Sequence, residues 1–203
     1  MENRIFTIGH SNYATDYFLE LLRRNGISAV ADVRSRPHTR VNPDFSQPNI
    51  EKVLAEAHIS YVFLGEELGA RSQDESCYLN GKVRYERLAK QTMFQDGLDR
   101  IEMGAEKYRI ALLCAEKEPL QCHRCILVSR HLVSRNLRVS HILADGSAEE
   151  HQHTISRLKQ SLGLMTQRDM FKTDEELTDM AYEMQEARIA YEIPEEQIPA
   201  LVA

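Results

Sequence analysis

Short apolar runs alternate with amphipathic segments over most of the chain. Five runs have the length and composition of buried strands, and they lie at residues 4–8, 27–33, 59–64, 108–114 and 137–143. Segments whose apolar residues recur with helical spacing follow these runs, at residues 15–25, 49–57, 84–107, 122–136 and 149–162. Alternation of strand and helix at this spacing is typical of a parallel sheet covered by helices. The pattern therefore predicts an α/β fold of three layers, in which a mainly parallel five-stranded sheet has helices on both faces.

Glycines and polar stretches divide this pattern further. We expect Gly97 and Gly104 to interrupt the segment 84–107, which would then form one broken helix or two. Residues 34–48 contain three prolines and lack apolar periodicity, which predicts a long loop. Residues 65–82 are predicted to form a second polar loop. Loops as long as the first, inside compact domains, are usually functional or disordered.

The composition changes after Gly163 to an acidic, methionine-rich stretch without a predicted strand. Thr173 followed by Glu176 matches the capping box that begins many helices. Four later residues fall on one helical stripe: Leu177, Met180, Met184 and Ala187. The sequence therefore predicts an α/β domain at residues 1–163 and an acidic helical extension at residues 164–203. The helix of this extension should pack on the domain or on a second copy in a homodimer.

Composition narrows the class of protein. The 203 residues are 42% hydrophobic, which is enough for one substantial core, and four cysteines in such a chain indicate reduced thiols rather than a disulfide scaffold. A net charge of −6 argues against a surface built for duplex nucleic acid, although a local basic pocket is compatible with it. The first residues, MENRIFTIGHS, are too polar for the apolar region of a secretory leader, so we expect none, and no apolar run reaches the length of about 18 to 20 residues that spans a bilayer. We therefore expect a soluble cytoplasmic protein without a membrane partner.

Ionisable and hydrogen-bonding residues follow every predicted strand. Because the carboxyl ends of parallel strands lie along one edge of a sheet, these side chains should converge there. They come after the five strands, or at the start of the helix that follows the fourth: His10, Ser11, Asp32, Arg34, Arg36, Glu66, Glu67, Arg71, Cys114, Glu116, Cys122, His123, Arg124 and Asp145. We expect a binding site at this edge.

Arginines dominate the charge expected at that edge. A guanidinium group suits bidentate binding of phosphate or carboxylate, and a helix N-terminus adds backbone donors. The sequence therefore predicts an anionic ligand, bound by residues from this set: Arg34, Arg36, Arg40, Arg71 and Arg124. The alternative is that some of them form structural ion pairs with Asp32, Glu66 or Glu116.

Cys114 and Cys122 permit several chemical roles. As a nucleophile, either thiol would be stabilised as a thiolate by Arg124, His123 and the helix end, while His10 or His123 carries protons. As metal ligands, both thiols and His123, with or without His10, would suit zinc or iron. The seven-residue gap between the cysteines is nevertheless unusual for a zinc ribbon.

Cys122 and Cys125 form a third arrangement, a possible redox pair at a helix start. Cys125, however, lies on the helical stripe of Ser129 and Leu132, so we predict that it is a small core residue. In a fully structural alternative every cysteine is inert. His141, inside the fifth strand, is predicted to be a hydrogen-bonded core histidine.

Five motifs carry a family resemblance. They are TIGHSN at 7–12, ADVRSRP at 31–37, LGEELGAR at 64–71, LLCAEKEPLQCHR at 112–124 and VSHIL at 139–143. In this order and spacing they resemble the bacterial and archaeal family called domain of unknown function 488, or DUF488, over residues 4–145. The family usually has a glycine pair where this chain has Gly69 and Ala70. The resemblance implies these signature residues: Gly9, His10, Ser11, Asp32, Arg34, Pro37, Cys114, Glu116, Cys122, His123 and Arg124.

The sequence as a whole predicts a small cytoplasmic enzyme that acts on an anionic substrate, either a nucleotide or a nucleic-acid end, by a thiol nucleophile or by group transfer. The expected catalytic residues are Cys114, Cys122, His10, His123 and Glu116. The expected substrate-binding residues are Ser11, Asp32, Arg34, Arg36, Arg71 and Arg124. Two alternatives stay open: a metal-binding or redox-sensing protein that uses the same cysteines, and a non-catalytic module that binds nucleotides or nucleic acid.

Overall fold

The computed structural model describes residues 4–38, 42–165 and 171–194. Its strands are β1 (Arg4–Gly9), β2 (Ala29–Asp32), β3 (Ser60–Phe63), β4 (Tyr78–Leu79), β5 (Lys82–Val83), β6 (Ile110–Cys114), β7 (Arg138–Ile142) and β8 (Ala148–Glu150). Six of them form the main sheet in the order β3-β2-β6-β1-β7-β8, while β4 and β5 form a small antiparallel hairpin. Every pair in the main sheet is parallel except β7 with β8. The α/β class and the mainly parallel sheet are thus confirmed.

The helices are α1 (Thr15–Arg24), α2 (Gln47–Glu56), α3 (Gly65–Leu68), α4 (Tyr85–Ala89), α5 (Thr92–Ala105), α6 (Arg130–Ser134), α7 (His151–Ser161) and α8 (Asp174–Ile189). Short 3-10 turns lie at Pro43–Phe45, Glu75–Cys77 and Pro119–Gln121, and a π-helical segment lies at Arg124–Ser129. In the ranges described, none of the helices combines the length and the apolar composition that crossing a membrane requires.

The strand count differs from the prediction, because the main sheet has a sixth strand. β8 contains only three residues, and its sequence AEE has no strand signature of its own. It forms because a tight turn after β7, with Gly146 at a φ of 86° and the Leu143 N–H bonded to the Ser147 carbonyl, reverses the chain. An ion pair of 2.6 Å between Arg4 and Glu150 holds the new strand against the sheet.

The segment 84–107 forms two helices, but not for the predicted reason. The break lies between α4 and α5, and both Gly97 and Gly104 are inside α5. A Cβ on Gly97 would stand 2.7 Å from the Cβ of Glu67 and 2.9 Å from the side chain of Leu68. Glycine is therefore required here so that α3 can approach α5, and the packing outweighs its intrinsic helix cost of about 1 kcal/mol.

The sheet separates two cores, because successive side chains of a strand point to opposite faces. One core, which contains Phe6, Val30 and Leu113, packs against α1 and α2. The other contains Cys114 and packs against α5, the π-helical segment, α7 and α8. The expected helices on both faces are present. Asp32 is two residues after Val30 in β2, so its side chain points to the same face as Val30 and to the face opposite Cys114.

The strand order brings distant parts of the chain together. β6 lies between β2 and β1, although β1 and β2 are consecutive in the chain. Beyond β1, the N–H groups of His10 and Ser11 continue the ladder by donating to the carbonyls of Cys114 and Ala115 at 2.9 and 2.8 Å. A Cβ on Gly9 would lie 1.7 Å from the carbonyl oxygen of Glu116. Only glycine permits this approach, which positions the residues that follow β6.

Candidate functional site

A cavity of about 340 Å³ opens at the carboxyl edge of the sheet, beside the ends of β2 and β6. Its wall holds seven of the predicted site residues: Cys114, Cys122, His123, Glu116, Arg34, Arg36 and Arg71. The remaining four, His10, Ser11, Asp32 and Arg124, are not part of the wall. The structure thus brings the thiols and three of the arginines to one opening.

Two thiols and one imidazole converge in the cavity wall. Nδ1 of His123 lies 3.7 Å from Sγ of Cys114 and 3.8 Å from Sγ of Cys122. Nε2 of the same ring lies 3.0 Å from the carbonyl oxygen of Val33. Because a carbonyl oxygen can only accept, Nε2 carries a proton, and Nδ1 is the atom that exchanges protons with the sulfurs.

The two thiols have different hydrogen-bond partners. The single S–H of Cys114 has two alternative acceptors, Oε2 of Glu116 at 3.1 Å and Sγ of Cys122, which lies within 4.8 Å. Sγ of Cys122 accepts the backbone N–H of Arg124 at 3.5 Å, at the start of the π-helical segment. Cys114 is thus placed as a proton donor and Cys122 as an acceptor, which favours the thiolate form of Cys122.

The electrostatics of the cluster agree with this assignment. Burial alone would raise the pKa of Cys122, but the hydrogen bond from Cys114 and the positive charges of Arg124 and His123 hold it well below its ordinary value. The pKa of Cys114 is raised well above its ordinary value by its hydrogen bond to Cys122, by burial and by the negative charges of Cys122 and Glu116. Burial alone would lower the pKa of His123, but the charge and hydrogen bond of the Cys122 thiolate outweigh this effect, and the pKa is raised above its ordinary value. The cluster therefore supports a thiolate–imidazolium pair.

Arg124 supplies a buried positive charge to this cluster. Its side chain is completely buried, and it donates to the carbonyls of Glu116 at 2.6 Å and Lys117 at 3.2 Å and to the hydroxyl of Thr7 at 3.3 Å. Among the residues that the structure describes, no carboxylate forms an ion pair with it. Since all its acceptors are neutral, its charge is available to stabilise the thiolate of Cys122. The hydrogen bonds from its guanidinium group to Glu116 and Lys117 hold the loop that follows β6.

The local chain conformation explains how Arg124 and its neighbour both point inward. The segment Arg124–Ser129 is π-helical, and all six of its side chains are buried. The hydroxyl of Ser129 donates to the carbonyl of Arg124 at 2.7 Å. Such π-helical turns are rare and are frequently found at functional sites. Cys125, next in the segment, contacts two histidines of the core rather than the cavity.

Arg34 and Asp32 form a buried bidentate pair, with nitrogen–oxygen distances of 2.9 and 2.6 Å. Arg34 also donates to the carbonyl of Phe45 at 2.8 Å and to Nε2 of His10 at 3.2 Å. Nδ1 of His10 donates to the carbonyl of Ser11 at 2.8 Å. Burial and the charge of Arg34 lower the pKa of His10 to about 4. His10 is therefore a neutral imidazole with both nitrogens occupied, outside the cavity.

Arg36 and Arg71 differ from the other two arginines. Both line the cavity, and neither forms an ion pair with a carboxylate in residues 4–38, 42–165 and 171–194. The guanidinium of Arg71 lies over the ring of Tyr191, 4.5 Å from its centroid. These two side chains thus contribute uncompensated positive charge to the opening of an acidic protein. The fifth predicted arginine, Arg40, lies outside the described residues.

The C-terminal extension contributes to the cavity, which the sequence did not predict. Ile189 and Tyr191, at and just beyond the end of α8, line its wall. Gln185 holds α8 in place by donating to the carbonyl of Leu120 at 2.7 Å, and the carbonyl of Tyr191 accepts the N–H of Val83 at 2.9 Å. The predicted stripe was wrong as a packing face, because Met184 and Ala187 are exposed and α8 instead buries Leu177, Ala181, Tyr182 and Gln185. An apolar stripe in any case does not specify which partner a helix packs against.

More than half of the chain matches a known protein family. Residues 14–131 match the family model described as Domain of unknown function DUF488. The matched range contains the thiols, His123 and all five arginines, whereas the motifs at 7–12 and 139–143 lie outside it. No curated protein and no solved structure matches the chain. Because the matched range makes up more than half of the 203 residues, this chain belongs to the DUF488 family.

Proposed function

We propose that this protein is a thiol-dependent enzyme that acts on an anionic substrate, with Cys122 as the nucleophile. The observation that carries the proposal is the juxtaposition, around one cavity, of the Cys122–His123 pair with two uncompensated arginines. A thiolate beside an imidazolium is the arrangement that activates cysteine nucleophiles in many enzymes. Unpaired arginines are the groups that bind phosphate or carboxylate.

The residues of the cluster suggest a sequence of steps. The thiolate of Cys122 would attack the electrophilic centre of the substrate and form a covalent intermediate, while Nδ1–H of His123 gives its proton to the leaving group. Water would then break the sulfur bond, and the neutral His123 would take up its proton, which restores the starting pair. Cys114 would stabilise the thiolate by hydrogen bonding. Burial and the charge of Cys122 raise the pKa of Glu116, and this carboxyl group would assist in proton transfer.

Binding of the substrate is assigned to Arg36 and Arg71. Arg34 and Arg124 use most of their donors within the protein, so in this proposal they position other residues instead of clamping the anion. The cavity of about 340 Å³ is of the size that accommodates a small organic anion or the end of a larger one. A nucleotide or a nucleic-acid end, as predicted from the sequence, fits this description.

Alkylation tests the nucleophile and the anion site together, without a known substrate. Rates of modification by neutral iodoacetamide and anionic iodoacetate are measured at Cys122 by mass spectrometry as a function of pH. We expect an apparent pKa well below the free-thiol value of about 8.5. We also expect a preference for iodoacetate that Arg36→Met and Arg71→Met each reduce several-fold, while the rate with iodoacetamide is unchanged.

Two controls sharpen this experiment. Arg23→Met removes an exposed arginine from α1 that is not part of the cavity wall, and should leave the preference for iodoacetate intact. Cys77, which is buried away from the cavity, should react only after unfolding. Inertness of Cys122 in the folded protein would refute the nucleophile, and an unchanged reagent preference in both cavity variants would refute the anion site.

A second candidate function, metal binding by Cys114, Cys122 and His123, is favoured by one specific observation. The three ligand atoms lie within 4.8 Å of one another beside an open cavity, and the outer nitrogen of His123 donates to a backbone carbonyl, as in many metal-bound histidines. Anaerobically purified protein whose Cys114 and Cys122 resist alkylation until a chelator is added would support this function over the nucleophile. Alkylation at equal rates with and without chelator would exclude it.

A further inference from the structure

Behind the cavity, the core holds a second cluster of thiol and imidazole groups. Sγ of Cys125 lies 3.6 Å from Nε2 of His141 and 3.9 Å from Nδ1 of His151, and these two nitrogen atoms are 2.9 Å apart. Cys125 and His141 are completely buried, and His151 is 4% exposed. None of the three lines the cavity or takes part in the chemistry proposed above.

We propose that Cys125, His141 and His151 form a buried three-coordinate site for a soft monovalent metal ion, Cu⁺. Thiolate sulfur and imidazole nitrogen are the donors that select copper and zinc over the harder magnesium, calcium and manganese ions. The set is drawn from β7, the π-helical segment and the first residue of α7. Three separate elements therefore direct their soft donors at one point in the core.

The distances leave room for an ion at the centre of the triangle. With a sulfur–metal bond of about 2.3 Å and nitrogen–metal bonds of about 2.0 Å, a planar three-coordinate ion requires edges of about 3.7 Å from sulfur to nitrogen and about 3.5 Å between nitrogens. The two sulfur edges, 3.6 and 3.9 Å, already match. The two nitrogen atoms, at 2.9 Å, would need to separate by about 0.6 Å.

The far side of each imidazole is supported by a hydroxyl oxygen. Nδ1 of His141 lies 2.8 Å from Oγ1 of Thr7, and Nε2 of His151 lies 2.8 Å from the hydroxyl of Tyr182. Histidines that bind metals typically donate their second N–H to an oxygen in this way, which fixes the ring and its tautomer. Each ring thus presents one nitrogen to an oxygen and the other to Cys125.

Every proton of the cluster has a place to go when a metal ion binds. The facing nitrogens of His141 and His151 can share a hydrogen bond only if one of them lacks a proton, so the cluster already offers one free lone pair. When Cu⁺ binds, the thiol proton of Cys125 leaves to solvent and a sulfur–copper bond forms. The proton between the rings moves to an outer nitrogen, opposite Thr7 or Tyr182. No group changes its oxidation state.

Charge selects a monovalent ion. Arg124, which is buried and positive, donates to the same Thr7 hydroxyl that contacts His141. Cu⁺ with the thiolate of Cys125 is neutral, whereas a divalent ion would leave a net positive charge in the core beside Arg124. An uncompensated buried charge is costly. Within the described residues the cluster includes no carboxylate or further cysteine that could neutralise a divalent ion.

X-ray absorption at the copper edge tests the proposal on the full-length protein loaded anaerobically with one equivalent of Cu⁺. We expect one sulfur and two imidazole nitrogens around copper. The double variant Cys114→Ser, Cys122→Ser should retain the ion with the same spectrum, because the cavity thiols are not its ligands. Cys125→Ser and His151→Gln, each checked for native circular dichroism, should both lose it to a competing chelator. Cys77→Ser is the matched control, since it also removes a buried thiol.

Three outcomes would overturn the proposal. They are two sulfurs and one nitrogen around copper, retention of the ion by both ligand variants, and binding of Zn²⁺ in preference to Cu⁺ by the double variant. Because the double variant lacks the proposed nucleophile, copper binding there is measured independently of the proposed enzymatic function. Failure of the alkylation tests would likewise leave the copper result unaffected.

Discussion

Asp32→Asn distinguishes a structural role of this carboxylate from a role in binding substrate. Asp32 is completely buried, and its two oxygens accept hydrogen bonds from the backbone N–H, Nε and Nη2 of Arg34 and from the hydroxyl of Tyr61. Asparagine keeps the shape of the side chain. Its NH₂ group, however, replaces one acceptor and faces donors, and the charge that compensates Arg34 is lost.

The size of the effect follows from these contacts. Removing one partner of a buried ion pair destabilises proteins by about 3–5 kcal/mol, much of it from the charge that is left uncompensated. The loss of a charge-assisted hydrogen bond accounts for about 1.5–3 kcal/mol of this. For a protein of this size each kcal/mol lowers Tm by about 2–4 °C, so we expect a decrease of about 6–20 °C.

Chemical denaturation followed by circular dichroism measures the free energy of unfolding. Glu86→Gln is the matched control, because it makes the same chemical change in an ion pair with Lys90 whose side chains are 75% and 72% exposed. We expect no measurable change there. If Asp32→Asn unfolded at the same denaturant concentration as the unaltered protein, the pair with Arg34 would not stabilise the fold, and the structural assignment of Asp32 would be refuted.

Three further predictions concern neighbours of the cavity. Gly9→Ala should cost about 3 kcal/mol, because the new Cβ would stand 1.7 Å from the carbonyl oxygen of Glu116; an unshifted denaturation curve would contradict this. Cys114→Ala should raise the pKa of Cys122 and slow its alkylation below pH 8, because the thiolate loses a donor; an identical pH profile would remove Cys114 from the partners of the thiolate. His10→Asn should flatten the pH dependence of stability. Burial and Arg34 lower the pKa of His10 to about 4 in the folded state, against about 6.5 when unfolded, so the unfolded chain gains its proton first as the pH falls. Up to about 3 kcal/mol of stability should therefore disappear between pH 6.5 and 4 in the unaltered protein, and an equal loss in the variant would count against this reasoning.

The positions of the parallel strands could be predicted because buried strands are short apolar runs bounded by polar residues. Four of the five predicted runs contain an observed strand, and β1 extends only one residue beyond the other; α8 begins at Asp174, directly after the predicted cap Thr173. β8 could not be predicted in this way, because its pairing depends on a turn and on a neighbouring strand rather than on its own composition. The prediction that Gly97 interrupts a helix was wrong for a related reason, because the role of this glycine depends on the close packing of α3 against α5.

The candidate site could be predicted only in part. The convergence of Cys114, Cys122 and His123 follows from the rule that the carboxyl ends of parallel strands share an edge. The directions of the arginines do not follow from that rule. Arg124 and Arg34 turned out to be buried, while Arg36 and Arg71 face the cavity. Burial of a guanidinium depends on acceptors supplied by other parts of the fold, such as the carbonyls of Glu116 and Phe45.

Local sequence patterns are enough to specify the α/β class, the positions of the parallel strands and the group of reactive residues at their ends. Local apolar periodicity records which side of each element is buried, and this information is present in a few consecutive residues. Three features became evident only from the folded chain: β6 lies between β2 and β1, Tyr191 lines the cavity, and Cys125 contacts His141 and His151. These features depend on contacts between residues far apart in the chain, and no local pattern specifies which partner a buried face will find.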